Sequence, residues 1–329
     1  MTAAEILQEI PNISVLVVGD ICLDRWCSYD PAAAEPSRET GLPRIGVVST
    51  EVTPGAGGTI ANNLRALGVQ RVAVVSAVGE DGFGWELIQA LNARGVSAEL
   101  CVKSAAISTF TYTKLINART GAEDLPRVDF INTRPMPPDV EAHVHDNFQL
   151  FARAFDIIIV SDQAETEQGG VIASKIRSAV SAIALEEPGR IVWVDSRMRP
   201  ELFRNVILKP NSAEADSACQ RVFGRIDYPA LQKHTNAPFL IVTRGAAGAL
   251  VVEGGTETAV ATRAIGNPVD ICGAGDAFSA GAALALAITG SPISAARFGN
   301  LVSSVTIMKK GTGTASPEEV LAAEREWAE

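Results

Sequence analysis

Aromatic residues are scarce in this chain: Phe, Trp and Tyr make up 5% of its 329 residues. Apolar residues still reach 47%, so a sizeable core must be built from Val, Ile, Leu and Ala, and a disordered or fibrous chain is excluded. Basic residues are also in short supply. Lys and Arg total 28 against 38 Asp and Glu, a formal net charge of −10. No dense Lys/Arg run offsets this deficit, which argues against nucleic acid or an anionic membrane surface as a partner. Cysteine is sparse and odd in number: Cys22, Cys27, Cys101, Cys219 and Cys272, with no C-x-x-C spacing. Neither a disulfide framework nor a zinc site is suggested, and reduced thiols in a cytoplasmic protein are expected. The three histidines form no H-E-x-x-H, and His143 and His145 read as polar surface. The first ten residues carry two glutamates and no long apolar run, so no secretory signal is expected. A G-x-G-x-x-G after the first strand and a Walker A loop are both missing. That disfavours a dinucleotide-dependent oxidoreductase and a P-loop kinase.

What is present is alternation. At about 150 residues per domain the length suggests roughly two domains. Short apolar runs at 15–18, 72–78, 157–160, 191–194, 206–208, 239–243 and 249–252 read as buried strands. Helical patterns at 55–67, 85–93, 170–184, 274–287 and 294–309 fall between or after them. This predicts a parallel α/β class. Residues 30–46 read as an irregular excursion, while 47–53 and 109–116 alternate in the manner of half-exposed strands. The half-polar regions around 21–53 and 101–134 are therefore expected to form a small second sheet. The large domain would take residues 1–20, 54–100 and 135–329. Residues 277–296 carry no charge, but Gly281, Gly290 and Pro292 favour a buried helix and turn over a membrane span.

The most informative segment is Asn267-Pro-Val-Asp-Ile-Cys-Gly-Ala-Gly-Asp-Ala-Phe278. A Gly-Ala-Gly turn runs straight into an apolar helix. Small residues allow close backbone approach, and unpaired N–H groups at a helix start bind anions. Asp276 falls in the first turn, where an aspartate ordinarily serves the helix dipole.

Asp270-Ile-Cys-Gly-Ala-Gly-Asp276 resembles the D-T-x-G-A-G-D signature of the ribokinase (PfkB) family of carbohydrate kinases. Further segments resemble other motifs of that family, in its order. They are Gly19-Asp20-Ile-Cys-Leu-Asp24, Gly55 to Gly68 with Val78-Gly-Glu-Asp-Gly-Phe-Gly84, Lys209-Pro-Asn-Ser-Ala-Glu214, Thr243-Arg-Gly-Ala-Ala-Gly248, and Gly311-Thr-Gly-Thr314 preceded by Asn300. Within the family the likeness is to the D-glycero-heptose-7-phosphate kinase branch, through Asp24-Arg25, Thr113-Lys114 and Arg127-Val-Asp129. The resemblance implies a three-layer α/β/α domain with a small β-sheet lid.

It also implies roles. Asp276 matches the base that accepts the proton of the attacking sugar hydroxyl, and the N–H groups of Gly273, Ala274 and Gly275 match the anion hole. Asp24 matches the carboxylate that holds sugar hydroxyls, with Asp20, Gly55 and Asn63 as further sugar-side residues. The family places an Asn where this chain has Thr59, a shorter hydrogen-bonding residue. Lys114 and Arg127, with Arg25, are the lid cations available for a substrate phosphate. Asn211, Thr243, Gly245, Gly248, Asn300, Thr312 and Gly313 match the ATP site. Glu214 and Asn211 match the organisers of Mg²⁺, largely through water, and Asp270 matches a monovalent-cation loop, K⁺ in some relatives. Val160-Ser-Asp-Gln-Ala-Glu-Thr-Glu167 departs from the heptose-phosphate branch, lacking a Lys-Gly pattern after Ser-Asp. The implied protein is an ATP- and Mg²⁺-dependent kinase of a sugar or sugar phosphate. Alternatives are a nucleoside kinase of the same family and a non-catalytic sugar or nucleotide sensor. A homodimer through the lid is a further expectation.

Overall fold

The computed structural model describes residues 1–33, 35–166, 168–263 and 265–328. Glu167, the last residue of the departing segment above, lies outside them.

The first strands are β1 (Ser14–Gly19), β2 (Ile21–Tyr29), β3 (Val47–Ala56), β4 (Arg71–Gly79), β5 (Cys101–Ser104), β6 (Thr111–Asn117) and β7 (Val128–Phe130). They are followed by β8 (Ile157–Asp162), β9 (Ile191–Ser196), β10 (Ile207–Leu208), β11 (Leu240–Thr243), β12 (Ala249–Glu253) and β13 (Thr256–Val260). The first five helices are α1 (Ala3–Glu9), α2 (Gly57–Ala66), α3 (Gly82–Ala93), α4 (Pro138–Phe151) and α5 (Ser174–Glu186). The others are α6 (Ser212–Phe223), α7 (Tyr228–Thr235), α8 (Ala274–Thr289), α9 (Pro292–Thr306) and α10 (Pro317–Ala328).

Nine strands form one sheet in the order β13-β12-β11-β10-β9-β8-β1-β4-β5. From β11 to β5 every pairing is parallel, as the alternation predicts. The edge departs from it: β12 and β13 run antiparallel because Gly254 and Gly255, with φ of +57° and +82°, close a tight hairpin. Successive side chains of β1 point to opposite faces, so Val15 and Val17 enter one core and Leu16 and Val18 the other. Residues of α1, α2, α3, α8, α9 and α10 cover the first face, and those of α4 to α7 cover the second. The result is three layers.

The second sheet, β3-β2-β6-β7, sits at the carboxyl end of β1. Only Asp20 separates β1 from β2, and β3 runs directly into α2, so the small sheet is tied to the large one at two points. Residues 101–104, expected in the small sheet, instead form β5 and pair with β4 at the edge of the large sheet. The helix expected from 170 starts at Ser174, because the preceding turn is held by Asp20 through the Val171 N–H. The charge-free stretch resolves into α8, a left-handed stop at Gly290 (φ +65°), and α9 starting at Pro292. No helix among the described residues is long and apolar enough to cross a membrane.

Candidate active site

The carboxyl ends of the parallel strands and the start of α8 converge on two connected hollows, the expected place for a ligand in an open α/β sheet. One is a smaller cavity of about 200 Å³ beneath the small sheet. The other is a wider cleft of about 600 Å³ over β9 to β11 and α9. They share Gln163, Arg197, Gly273 and Asp276, which form a seam.

The seam is built on the first turn of α8. Gly273 takes φ +76°, and a Cβ there would come within 3.1 Å of the Thr59 side chain and 3.3 Å of the Thr312 side chain. No side chain caps the helix, so the positive end of its dipole is offered to the hollows. Of the three amides expected to hold an anion, that of Ala274 donates to the Ile271 carbonyl at 3.2 Å. Asp276 stays partly open to the cavity but is otherwise enclosed by protein. Burial pushes its carboxyl well above the usual range, the charge of Asp195 adds to this, and Lys209 opposes it. A carboxylate so placed is a better proton acceptor than one in water. Asp195, at the end of β9, accepts from the Ser279 hydroxyl at 3.1 Å and pairs with Lys209 Nζ at 2.9 Å, both partners buried. Burial alone would depress the Lys209 ammonium, but Asp195 and Glu214 hold it charged.

The smaller cavity is lined by charge from the small sheet. Asp24, on β2, has its pKa pushed up to about 6 by burial, against the opposing Cys22 hydrogen bond, Lys114 and Arg127. Gly55 makes room for it: a Cβ there would lie 2.5 Å from Asp24 Oδ2. Lys114 on β6 and Arg127 just before β7 both line this cavity, together with Arg25 and Arg197. Four cations thus line the same cavity as three carboxylates, Asp24, Glu165 and Asp276, a concentration of basic side chains in a chain of net charge −10. Arg25, Lys114 and Arg127 also reach acidic neighbours, Glu86 at 3.5 Å, Glu123 at 3.5 Å and Asp129 at 2.7 Å. Arg127 stacks 5.0 Å from the Tyr112 ring centre, which fixes its aim. Thr59 lines the cavity and donates to the Pro54 carbonyl at 3.2 Å.

Several expected contacts are placed otherwise. Asp20 does not line the cavity. Its carboxylate accepts the N–H groups of Gln163, Ala164 and Val171 at 2.7–2.9 Å and anchors that loop. Asn63 is buried and ties the Thr59 and Gly313 carbonyls together. Thr312 lines the smaller cavity instead of the cleft, its hydroxyl 3.0 Å from that of Thr53 on β3. Gly313 packs against Thr306 and Lys309 and lines neither hollow. Asp270 clamps two loops, accepting from Cys272 N–H at 2.9 Å and Gly311 N–H at 3.2 Å.

The cleft is made differently, from turns and caps. Thr243 ends β11, and Gly245 and Gly248 follow with φ of +56° and +83°. A Cβ on Gly248 would lie 2.2 Å from the Val260 carbonyl, so only glycine fits. Asn300 on α9 donates to the Val260 and Ala261 carbonyls at 3.4 and 3.3 Å and fixes the opposite wall. Asn211 and Glu214 form a reciprocal capping box on α6, at 3.0 and 2.8 Å, and both line the cleft. Among the described residues no group of three or more His, Cys, Asp or Glu forms a metal cage. One carboxylate and one amide oxygen nevertheless fit Mg²⁺, which keeps most of its waters and leans on phosphate oxygens. Sequence reasoning missed Asp195, Lys209, Gln163, Glu165 and Arg197. Lys209 stood at the head of the Lys-Pro-Asn motif and Asp195 at a strand end, which were the available signals.

A family model for pfkB family carbohydrate kinases matches residues 14–319. "Bifunctional protein HldE" of Caulobacter sp. (strain K31) is 30% identical over 330 residues, spanning 97% of this chain and 64% of that protein. Its namesake from Pelobacter propionicus is 28% identical over 324 residues, 96% of this chain and 64% of that protein. The chain therefore spans somewhat under two thirds of the length of these curated relatives. Phosphofructokinase-2 from Escherichia coli, solved in complex with potassium, superimposes with a TM-score of 0.73 at 17% identity, covering 96% of this chain and 100% of that one. Ribokinase from Thermotoga maritima gives 0.71 at 18% identity, with 95% and 99% coverage. The two hollows meeting at an uncapped helix start, the small sheet over one of them and the family match along nearly the whole chain agree: the chain belongs to the pfkB family of carbohydrate kinases.

Proposed function

We propose that this chain transfers the γ-phosphate of ATP to a hydroxyl of a sugar that already carries a phosphate. The observation behind this reading is the wall of the smaller cavity, where Arg25, Lys114 and Arg127 lie on the same hollow as Asp24 and Asp276. Such cations, planar and bidentate in the arginines, suit a phosphate monoester better than a neutral sugar. Asp24 would accept hydrogen bonds from the sugar hydroxyls. Asp276 would take the proton of the attacking hydroxyl as its oxygen bonds to phosphorus and ADP leaves. The start of α8 would face the charge that develops on the transferring group. Mg²⁺, organised by Asn211 and Glu214, supplies charge neutralisation on the phosphates. A sugar phosphate of the heptose-7-phosphate kind is the favoured acceptor, from the likeness at Asp24-Arg25, Thr113-Lys114 and Arg127-Val-Asp129.

The test is an ATP-coupled assay with matched free and phosphorylated sugars, run with K⁺ or Na⁺ to read the monovalent-cation expectation at Asp270. Preference for the phosphorylated member of each pair is expected. Equal use of the free sugars would remove the phosphate from the reading, and lack of turnover with any acceptor would remove the kinase.

A further inference from the structure

We infer that Arg197 is the cation that meets the phosphoryl group in transit, parked on Glu165 when that group is not there. This rests on the kinase reading above. Among the described cations that line the hollows, Arg197 alone lines both. Arg25, Lys114 and Arg127 line the smaller cavity and not the cleft. Lys209 lines the cleft and not the cavity, and its charge is already matched by buried Asp195 at 2.9 Å. A phosphoryl group that moves from one hollow to the other must cross the seam, and Arg197 is the positive side chain there.

Its setting fits a group that is rigid at the base and free at the tip. Arg197 follows β9 directly, and its N–H donates to the Asp162 carbonyl at 2.9 Å. The buried Asp162 carboxylate is itself held by Arg199 and by the Ser196 hydroxyl. The guanidinium, by contrast, is 45% exposed and pairs with Glu165, itself 43% exposed. Ion pairs that open to solvent are worth only about 0–1 kcal/mol, so a phosphoryl group can displace Glu165. The positive charge of Arg197 is also felt by Asp276 on one side and Glu214 on the other. In a loose phosphoryl-transfer transition state, negative charge spreads over the equatorial oxygens, where a guanidinium fork makes two charge-assisted hydrogen bonds.

Arg197→Ala and Arg197→Lys test this against wild type, with steady-state kinetics, thermal melts, and equilibrium binding of ADP and a non-hydrolysable imido-ATP. For Arg197→Ala, kcat should fall about 100-fold or more, the scale of losing one transition-state donor. KM for the acceptor should stay within about threefold, because the contact is made to the transferring phosphoryl group and not to the acceptor. The imido-ATP should lose about tenfold in affinity relative to ADP, the worth of one charged hydrogen bond. Arg197→Lys should fall between, and added guanidinium should restore part of the Arg197→Ala turnover. A loss confined to acceptor KM would make Arg197 an acceptor-phosphate clamp and overturn the inference. Equal loss of ADP and imido-ATP binding would also overturn it, as would unchanged kinetics in a folded, active enzyme. An inactive wild type would instead bring down the kinase reading, and this inference with it.

Discussion

The smaller cavity and the larger cleft meet at Asp276, yet they are built from different materials. The cleft is a product of backbone: the left-handed turns at Gly245, Gly248 and Gly273, the capping box of Asn211 and Glu214, and a helix start. The cavity is a product of side chains carried on β2, β6 and the approach to β7, with Asp24 and Arg25 about ninety residues from Lys114. On the proposed reading, one acidic chain presents two anion sites by separate means. Amide dipoles and a metal suit a triphosphate, and cations suit a monoester. The cost to an acidic surface is small in either case, because both sites act at contact distance, where net charge counts for little.

The seam should be the most sensitive point. Asp276→Asn keeps the shape of α8 but removes the proton acceptor, so turnover should fall about 10²–10⁴-fold. ATP binding, followed by calorimetry, should persist. A variant that keeps its rate would show that the proton leaves by another route and that the two hollows are not joined chemically at this residue.

Next come substitutions that should damage one side and spare the other. Lys114→Ala or Arg127→Ala should lower kcat/KM for a phosphorylated acceptor about 10–100-fold, the worth of one charged hydrogen bond at 1.5–3 kcal/mol. KM for ATP should not move. These cations also hold down the pKa of Asp24, which stands at about 6. The Asp24 carboxylate accepts best from hydroxyls when ionised, and Asp276 must be ionised to take a proton, so kcat/KM in the wild type should fall on the acid side, and Lys114→Ala should move the Asp24 part of that limb upward. A limb that stays put would dissociate Asp24 from the cations. On the cleft side, Gly248→Ala forces a side chain into the Val260 carbonyl at φ +83°. It should cost about 1–3 kcal/mol of strain, read as a lower melting temperature and a raised KM for ATP with the acceptor KM kept.

The same contrast decided what could be read in advance. The cleft rests on short local motifs, so Gly245, Gly248, Asn211 and Glu214 were nameable from the segments that resemble the family's. The alternation of short apolar runs likewise announced the parallel sheet, because β1, β8 and β9 are buried on both faces. Less legible were the backbone partners of loop polar residues. Besides the ligand roles that the resemblance implies for them, Asp20 and Asp270 hold the amides of Gln163, Ala164, Val171, Cys272 and Gly311. No sequence pattern distinguishes a carboxylate facing a ligand from one facing an amide. The clamp by Asp20 also explains why α5 starts later than its apolar pattern suggests. Arg197 carried no motif signal, since its importance comes only from standing where two hollows touch.

The smallest expected effect separates architecture from metal at Glu214. In the capping box, Glu214 Oε2 accepts from the Asn211 N–H at 2.8 Å while its own N–H donates to Asn211 Oδ1 at 3.0 Å. Glutamine serves as well as glutamate at that position, so Glu214→Gln should leave the melting temperature within the few tenths of a kcal/mol expected of a spared cap. It removes the negative charge that a hard cation and its waters would feel across the cleft. The Mg²⁺ concentration for half-maximal rate should therefore rise a few-fold, roughly 3–10, with saturating rate largely kept, because Mg²⁺ binds chiefly through phosphate oxygens and water. A drop in melting temperature without a change in the Mg²⁺ curve would assign Glu214 to the helix alone. The cleft would then hold the metal by the nucleotide and Asn211, which would make the cleft still more a site of backbone and the contrast with the charged cavity sharper.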